Sequence, residues 1–428
     1  MSEAEHSGDA LLDRVRELPG GAQLLSAVAA REDAELVGGA TRDLLLERNP
    51  RELDVLVESG AEQLARELAV ALGGGEPASA GVQLGAHERF GTALVSWPAG
   101  RIDIATRRAE SYPAPGALPE VRAGSAEEDL RRRDFTVNAI AVGLAGAVAG
   151  RVRAAPGALD DLRAGRLRVL HERSFIDDPT RLLRLARYRA RLGFEAEQRT
   201  AQLASEALQA GALGSVSPAR LGAELRLALG EDDPVGALSS LAQLGVLGAL
   251  EPPLRFAAHV AERGLAALPA EGRRDLLVLA SLLVSVEAGS AHERQAAMSG
   301  FLDALEFTAS DRDRAVRAAL AAPDLQRRLA QELTPSALRA AVHGVPLEGI
   351  ALAGALEEPG PSAAAAQRWL GELRHVKLQI NGDDLLAAGI ARGPEVGRRL
   401  EAVLNMRLDG RVDDTAEGQL RAALEVGA

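Results

Sequence analysis

One short segment combines side chains and backbone features suited to phosphate chemistry. A strand pattern over Glu35–Val37 runs into Gly38 and Gly39, and a helical pattern from Thr41 carries Arg42 in its first turn. Adjacent glycines let backbone N–H groups approach a phosphate, a helix N-terminus favours negative charge, and an arginine can fork onto phosphate oxygens. The segment therefore predicts a phosphate-binding turn, although a plain turn would explain the glycines alone.

A pair of carboxylates follows directly. Residues 52–57 alternate as a strand, so Glu52 and Asp54 fall on one face, because strand side chains repeat every two residues. Two neighbouring carboxylates repel each other unless a cation lies between them, and Mg²⁺ is the natural candidate. A solvated strand edge is the alternative for the acidic pair alone. Their closeness to the glycines and Arg42 favours a metal-dependent nucleotidyl-transfer site.

These residues carry a family resemblance. The run GGATRDLLL at 38–46, followed by Glu52-Leu53-Asp54, resembles the first signature of the class II tRNA nucleotidyltransferases. These are the bacterial CCA-adding enzymes, members of the DNA polymerase beta superfamily, whose signature reads Gly-Gly-x-Val-Arg-Asp and then Asp-x-Asp. Thr41 replaces the valine here, and Glu52 replaces the first aspartate. Glutamate keeps the charge but adds a methylene, so the departure concerns the geometry of the metal site.

A third carboxylate is available from another strand pattern. Residues 101–105 alternate apolar and charged side chains, which places Asp103 on the face opposite to Ile102 and Ile104. Polymerase-beta-like sites often take a third carboxylate from such a strand, so the resemblance makes Asp103 a catalytic candidate. A surface aspartate at a strand edge explains it equally well.

The segment RRRDFTVNA at 131–139 resembles the second family motif, Arg-Arg-Asp-Phe-Thr-Ile-Asn-Ala. The resemblance implies that Arg133 contacts the incoming nucleotide and that Asp134 and Asn138 shape the ribose pocket. Without it, a triple arginine before an apolar strand would indicate a solvated loop.

A third motif begins at Asp177-Asp178-Pro179. An aspartate before a proline is typical of a helix N-cap with proline at the first helical position. Arginines 181, 184, 187 and 191 then follow at spacings that align them on one helix face. Four unneutralised arginines on one face repel each other, so the pattern predicts an anion such as a triphosphate beside them, with Arg184 and Arg187 as the main candidates to hold it.

The same segment resembles the family motif Glu-Asp-x-x-Arg, a protein template that selects the base. Asp177 stands for the glutamate, and Asp178 and Arg181 are kept. Cytosine and adenine both present an exocyclic amine beside a ring-nitrogen acceptor. A carboxylate accepts from the amine and a guanidinium donates to the nitrogen, so this pair admits C and A and rejects G and U.

Composition limits the remaining possibilities. The chain has 428 residues, 47% of them apolar, which predicts two to four structural units. No cysteine is present, which excludes disulfides, thiol catalysis and cysteine-ligated zinc. The longest uncharged apolar run, 276–286, is too short to span a bilayer, so we expect a cytoplasmic protein without a membrane partner.

The net charge of −12 argues against indiscriminate nucleic-acid binding. Residues 151–191, however, include eleven arginines and only five acidic residues. That segment is the natural place for a polyphosphate or an RNA backbone.

The order of patterns predicts an α+β head with a small mixed sheet, followed by helices. Together with the family layout, it predicts a nucleotidyltransferase head at 1–150, a helical neck at 151–230 that recognises base and RNA, and a tRNA-binding body and tail at 231–428. Strands are predicted at 35–38, 52–57, 92–97, 101–105 and 137–144, and helices at 41–48 and 60–72.

The resemblance implies Mg²⁺-dependent addition of CMP and AMP, from CTP and ATP, to the 3′ end of tRNA. Glu52 and Asp54 would hold Mg²⁺, Gly38, Gly39, Arg42 and Arg133 would bind the nucleotide, and no protein partner is evident. A poly(A) polymerase and an enzyme adding only CC or only A share these motifs and stay open. A catalytically degenerate RNA-binding protein also stays open, because Glu52 replaces an aspartate.

Overall fold

A computed structural model describes residues 8–73, 81–87 and 91–426. The chain divides into two units, Met1–Ser217 and Pro218–Ala428. In the described ranges, the strands all belong to the first unit and the second is helical. The predicted fold class is therefore confirmed, whereas the three-part division at 150 and 230 stays a prediction.

Strands in the first unit form one mixed sheet and two small pairs. They are β1 Glu35–Val37, β2 Leu53–Val57, β3 Gln83–His87, β4 Thr92–Trp97, β5 Gly100–Thr106, β6 Arg108–Ser111, β7 Glu120–Ala123, β8 Ile140–Gly143, β9 Val152–Ala154, β10 Arg166–Leu167 and β11 Glu195–Ala196. The mixed sheet has the order β3-β4-β5-β2-β1-β8-β9. Strands β2 and β5 are parallel, and β1 is antiparallel to both β2 and β8. This order places the two strands with candidate metal ligands side by side.

Helices of the first unit pack against this sheet and continue beyond it. They are α1 Gly8–Glu17, α2 Gly21–Ala27, α3 Gly38–Leu45, α4 Ala61–Leu72, α5 Ala126–Arg131, α6 Ala158–Arg163, α7 Ser174–Asp177, α8 Thr180–Leu192 and α9 Gln198–Gln209. The buried residues of α4 recur at helical spacing, and this helix packs on β4 and β5. Ile102 and Ile104 of β5 are buried. The alternation of β5 therefore leaves Asp103 on the opposite face.

Some predicted boundaries are wrong. Helix α3 begins at Gly38 rather than near Thr41, because Gly38 adopts a positive φ of 66° and turns the chain directly from β1 into the helix. It ends at Leu45, before Glu47 enters the left-handed region with φ of 58°. The strand predicted at 137–144 starts only at Ile140, because Thr136–Asn138 form a 3₁₀ turn.

The second unit is built from helices around apolar cores. They are α10 Pro218–Leu229, α11 Pro234–Gln243, α12 Ala258–Ala267, α13 Arg274–Leu283, α14 Ala291–Ala304, α15 Ala309–Leu329, α16 Pro335–Val342, α17 Leu347–Ala355, α18 Pro361–Gly371, α19 Gly382–Ala387, α20 Pro394–Leu408 and α21 Ala416–Glu425. The apolar run at 276–286 is largely α13, buried from Leu276 to Leu283. Among the helices that the structure describes, none has the length and apolarity to cross a membrane.

Candidate active site

The three candidate carboxylates converge. Asp54 on β2 lies opposite Asp103 on β5 in the parallel register, and Glu52 precedes β2. One carboxylate oxygen of each residue lies within 4.8 Å of those of the other two. Glu52 is exposed, whereas Asp54 and Asp103 are half-buried. The structure therefore brings together three oxygen ligands of the kind that a hard divalent cation prefers.

The convergence of like charges perturbs Asp54. Burial, reinforced by the charges of Glu52 and Asp103, raises the pKa of Asp54 to about 7, although the Arg133 guanidinium opposes this shift. Arg101 contacts two of the three carboxylates. Its guanidinium donates to both carboxylate oxygens of Asp103, at 2.7 and 3.0 Å, and lies 3.6 Å from Glu52.

Our sequence reasoning did not single out Arg101, although a signal was present. Arg101 and Asp103 are two apart in a strand and so share a face. The pairing shows that a positive charge fits among these carboxylates.

Gly38 and Arg133 lie beside the carboxylates. A Cβ on Gly38 would come within 2.8 Å of Arg133 Nη1 and 3.4 Å of Asp54 Oδ2, so a larger residue would displace the end of this arginine, and the φ of 66° itself favours glycine. Asp129, fully buried, orients Arg133 by accepting a hydrogen bond from it at 3.0 Å. Gly39 has no such role, because its nearest neighbour would be Arg42 Nη2 at an ordinary 3.5 Å.

Arg42 has internal partners for its guanidinium. The side chain is 1% exposed; its Nη1 donates to Asn138 Oδ1 at 2.6 Å and its Nε donates to Asp43 Oδ1 at 2.8 Å. Its guanidinium carbon also lies 5.4 Å from the centre of the Tyr188 ring. These partners hold the guanidinium inside the protein, and the predicted contact of Arg42 with a phosphate stays a prediction. Arg42 also ties α3 to the 3₁₀ turn, 96 residues away in sequence.

Asp134 and Asn138 belong to the same buried network. Asp134 Oδ1 accepts from Asn138 Nδ2 at 2.9 Å and from the Phe135 backbone N–H at 2.8 Å, while Oδ2 lies 3.0 Å from Arg184 Nη2. Burial by itself would raise the pKa of Asp134, but Arg184 and the Asn138 hydrogen bond outweigh it and leave that pKa below its usual value. A chain of contacts thus runs from Arg42 through Asn138 and Asp134 to Arg184.

Two arginines on the predicted arginine face of α8 pair with acidic side chains of the same unit. Arg184 pairs with Asp134, and Arg191 lies 3.2 Å from Asp43 Oδ2. Arg187 is buried, with its guanidinium carbon 5.0 Å from the Tyr188 ring centre. The sequence could not show this, because the acidic partners come from distant elements. The regular spacing therefore does not by itself indicate a triphosphate.

The predicted base-reading residues have internal partners as well. Asp178 Oδ1 accepts from the Thr180 backbone N–H at 3.1 Å and from its hydroxyl at 2.6 Å, so it binds the first N–H of α8, although Pro179 rather than Asp178 directly precedes the helix. Arg181 is 3% exposed and donates to Ser174 Oγ at 2.6 Å and to the Arg132 carbonyl at 2.8 Å. Asp178 Oδ2 lies 4.0 Å from Arg181 Nε.

A cavity of about 330 Å³ lies next to these residues, and Asp177, Arg181 and Tyr112 are among those lining it. Tyr112, which sequence reasoning missed, donates to Glu110 at 3.3 Å. Burial raises the pKa of Tyr112 to about 12, with Arg181 opposing the shift, so the phenol stays neutral. The cavity therefore offers a carboxylate, a guanidinium and a neutral phenol to a ligand.

Comparison with known proteins gives consistent results. Residues 34–168 match the poly A polymerase head domain family. The chain is 40% identical over 229 residues to the A-adding tRNA nucleotidyltransferase of Halalkalibacterium halodurans, covering 52% of this chain and 51% of that protein. It is 32% identical over 394 residues to the CC-adding tRNA nucleotidyltransferase of Deinococcus radiodurans, covering 92% of this chain and 89% of that protein.

The fold comparison extends over nearly the whole chain. The Thermotoga maritima CCA-adding enzyme in complex with tRNA has a TM-score of 0.76 and 27% identity, with 98% of each chain covered. The chain spans about half, or less, of the length of the A-adding relatives it matches.

Proposed function

The chain belongs to the class II tRNA nucleotidyltransferase family, and from that premise we propose that it adds CMP and AMP to the 3′ end of tRNA without a nucleic-acid template. The carboxylate cluster of Glu52, Asp54 and Asp103 carries this proposal, because it lies beside Gly38 and Arg133. The D. radiodurans relative, named for addition of CC to tRNA, supports the substrate class.

Glu52, Asp54 and Asp103 would hold the divalent metal, which we propose to be Mg²⁺. The fit is supported by the all-oxygen donor set and by the raised pKa of Asp54, caused by burial and neighbouring negative charge. When bound, Mg²⁺ supplies positive charge that favours ionisation of the attacking 3′-hydroxyl and neutralises the leaving pyrophosphate. Arg101, which donates to both oxygens of Asp103, would share that carboxylate with the metal or yield it.

Binding of the triphosphate falls to the turn at Gly38 and Gly39 and to Arg133. Arg133 is held by Asp129 and lies near Asp54, so it can donate to a phosphate next to the metal ligands. Three further residues have a positioning role in this proposal: Asp134, Asn138 and Arg184. Their contacts with one another hold the segment that follows Arg133 in place. Arg187 supports α8 from its place against Tyr188.

Base selection is proposed for the cavity that Asp177 and Arg181 line, with Asp178 at its side. A guanidinium has five N–H donors, and two of its nitrogens donate to Ser174 and Arg132 here. Arg181 therefore keeps donor capacity for a ring nitrogen. The carboxylates of Asp177 and Asp178 would accept from the exocyclic amine of cytosine or adenine, in addition to their bonds from Arg173 and Thr180.

A nucleotide-incorporation assay tests the proposal. Three tRNA transcripts, ending before the first C, after CC and after CCA, are incubated with Mg²⁺ and labelled CTP or ATP. We expect C on the first and A on the second, with no extension of the third. Extension by C without A, or by A without C, would assign a partial activity, which the relatives named CC-adding and A-adding make specific alternatives.

Two further outcomes would reject the proposal. Extension of the CCA-ended transcript by many A residues would indicate a poly(A) polymerase. Binding of tRNA without any incorporation would indicate a catalytically degenerate RNA-binding protein.

A further inference from the structure

A cavity of about 500 Å³ lies within the second unit, among α16, α17, α18 and the segment after α18. Leu347, Ile350 and Trp369 contribute apolar surface, and Arg339, Arg374 and His375 are among the polar residues around it. This volume suits one nucleotide, and an apolar floor with a few polar groups is typical of ligand sites. We propose that this cavity binds one nucleotide of the tRNA, at a place remote in sequence from the carboxylate cluster. This inference rests on the proposed function.

Trp369 is the first argument. The chain has only two tryptophans, and aromatic residues make up 3% of it. Trp97 is used for packing, because a Cβ on Gly20 or Gly100 would come within 2.6 or 2.9 Å of its ring. Trp369 is half-buried as Trp97 is, but it borders a cavity. An indole face at a cavity accepts any base by stacking.

The polar rim supplies the second argument. Arg374 is fixed by donating to the Leu370 carbonyl at 2.6 Å and by pairing with Glu271, whose side chain is 56% exposed. Arg339 lies 3.2 Å from Glu401, whose side chain is 61% exposed. Exposed carboxylates bind arginine weakly, so a phosphate can replace them on guanidinium groups that are already in place.

The surroundings explain why the occupant is part of a polymer. His343, Gly344 and His375 are exposed on the same rim, which leaves the cavity open to solvent along one side. Lys377, the only lysine of the chain, follows two residues after His375 and is exposed. A nucleotide can therefore enter while its neighbours in the RNA remain in solvent beside positive charge.

The decisive measurement uses the affinity of the full chain for a tRNA transcript lacking CCA. We expect Trp369→Leu to raise the Kd about tenfold, in the range found for loss of one stacked base, and Trp369→Phe to restore most of the affinity. Arg374→Gln should lower the salt slope of binding by about one, because one phosphate contact is lost. The matched control is Arg327→Gln, since Arg327 also pairs with a carboxylate, Asp324, but is exposed on α15. Its salt slope should stay unchanged.

A fluorescence measurement gives an independent readout. In a Trp97→Phe variant, Trp369 is the only tryptophan, and its emission should be quenched by the tRNA but not by CTP or ATP alone. Quenching by the free nucleotides without quenching by tRNA would overturn the proposal in favour of a nucleotide-effector site. If Trp97→Phe does not fold, the affinity series above still decides.

The outcomes separate this inference from the proposed function. Unchanged tRNA affinity in Trp369→Leu, with normal incorporation of C and A, would overturn the proposed role of the cavity and leave the proposed function intact. Weakened tRNA affinity in Trp369→Leu, in a protein that incorporates no nucleotide, would support the cavity and reject the proposed activity.

Discussion

Two groups of charged side chains in the first unit differ in whether like or opposite charges are neighbours. Glu52, Asp54 and Asp103 place three like charges within 4.8 Å of one another at a partly exposed position. Asp134 is buried and has Arg184 and Asn138 as partners. A buried charge that has an opposite charge beside it adds little net stability but is costly to leave unpaired, whereas like charges held together cost stability and are retained where a ligand compensates them. The comparison separates a ligand site from its scaffold.

The largest effect on activity is expected from Asp54→Asn. The change removes a metal ligand but also relieves repulsion with Glu52 and Asp103, so transfer should fall by at least about a hundredfold while stability stays equal or rises. Single-turnover incorporation and thermal melting measure the two effects. Undiminished transfer would remove Asp54 from the mechanism.

Asp134→Ala should show the opposite pattern. It leaves Arg184 without its carboxylate and Asn138 without an acceptor, so we expect a loss of about 2–4 kcal/mol in the free energy of unfolding, with Arg184 partly relieved by solvent. Urea denaturation measures the loss. A stable Asp134→Ala protein that is inactive would instead move Asp134 into the ligand site.

Asp178 combines features of the ligand site and of its scaffold. One carboxylate oxygen binds the first N–H of α8, and the other lies 4.0 Å from Arg181 Nε. If Asp178 reads the base, Asp178→Ala should raise misincorporation of UTP and GTP relative to CTP and ATP on the order of tenfold to a hundredfold. A purely capping role predicts about 1 kcal/mol lost from stability and unchanged selectivity. Thr180→Val is the control, since it removes the hydroxyl that donates to Asp178 and leaves the Asp178 carboxylate in place.

Metal binding should depend on pH because of Asp54. Its pKa of about 7 in the folded chain lies above the ordinary value of 3.8, so its contribution to stability is full at low pH and is lost as the pH rises through 7. Mg²⁺ competes with this proton. Its apparent affinity should therefore rise about tenfold between pH 6 and pH 8, as the ionised fraction does.

Thermal melting with and without Mg²⁺ should accordingly show a larger stabilisation at pH 8 than at pH 6. The same pair of scans on Asp54→Asn should lose this difference. A pH-independent shift in the natural chain would contradict the role of Asp54 as a ligand.

The smallest effect is expected from Glu52→Asp, which restores the family residue. Glu52 is exposed and lies outside β2, so a shorter side chain can still reach the site, and transfer should rise by no more than about fivefold. An increase would show that the extra methylene limits the metal site. A loss beyond about a hundredfold would show that the site is built around glutamate.

The sequence predicted local features well and long-range partners poorly. Strands 92–97 and 101–105 and helix 60–72 are confirmed, because alternation and helical spacing are set by neighbouring residues. The internal partner of Arg42 could not be predicted, because Asn138 is 96 residues away and the sequence does not distinguish a buried guanidinium from an exposed one. The ion pairs of Arg184 and Arg191 on α8 escaped prediction for the same reason, since Asp134 and Asp43 come from other elements.

The parallel register of β2 and β5 also bears on how such a chain can change length. Asp54 faces Asp103 only while Leu53 pairs with Ile102 and Val55 with Ile104. Deleting one residue inside β5 would turn Asp103 toward the apolar core and disperse the cluster, since strand faces alternate. Insertions between the strands leave that pairing intact and cost little loop entropy. Insertions and deletions in related chains should therefore occur between these two strands and not within them.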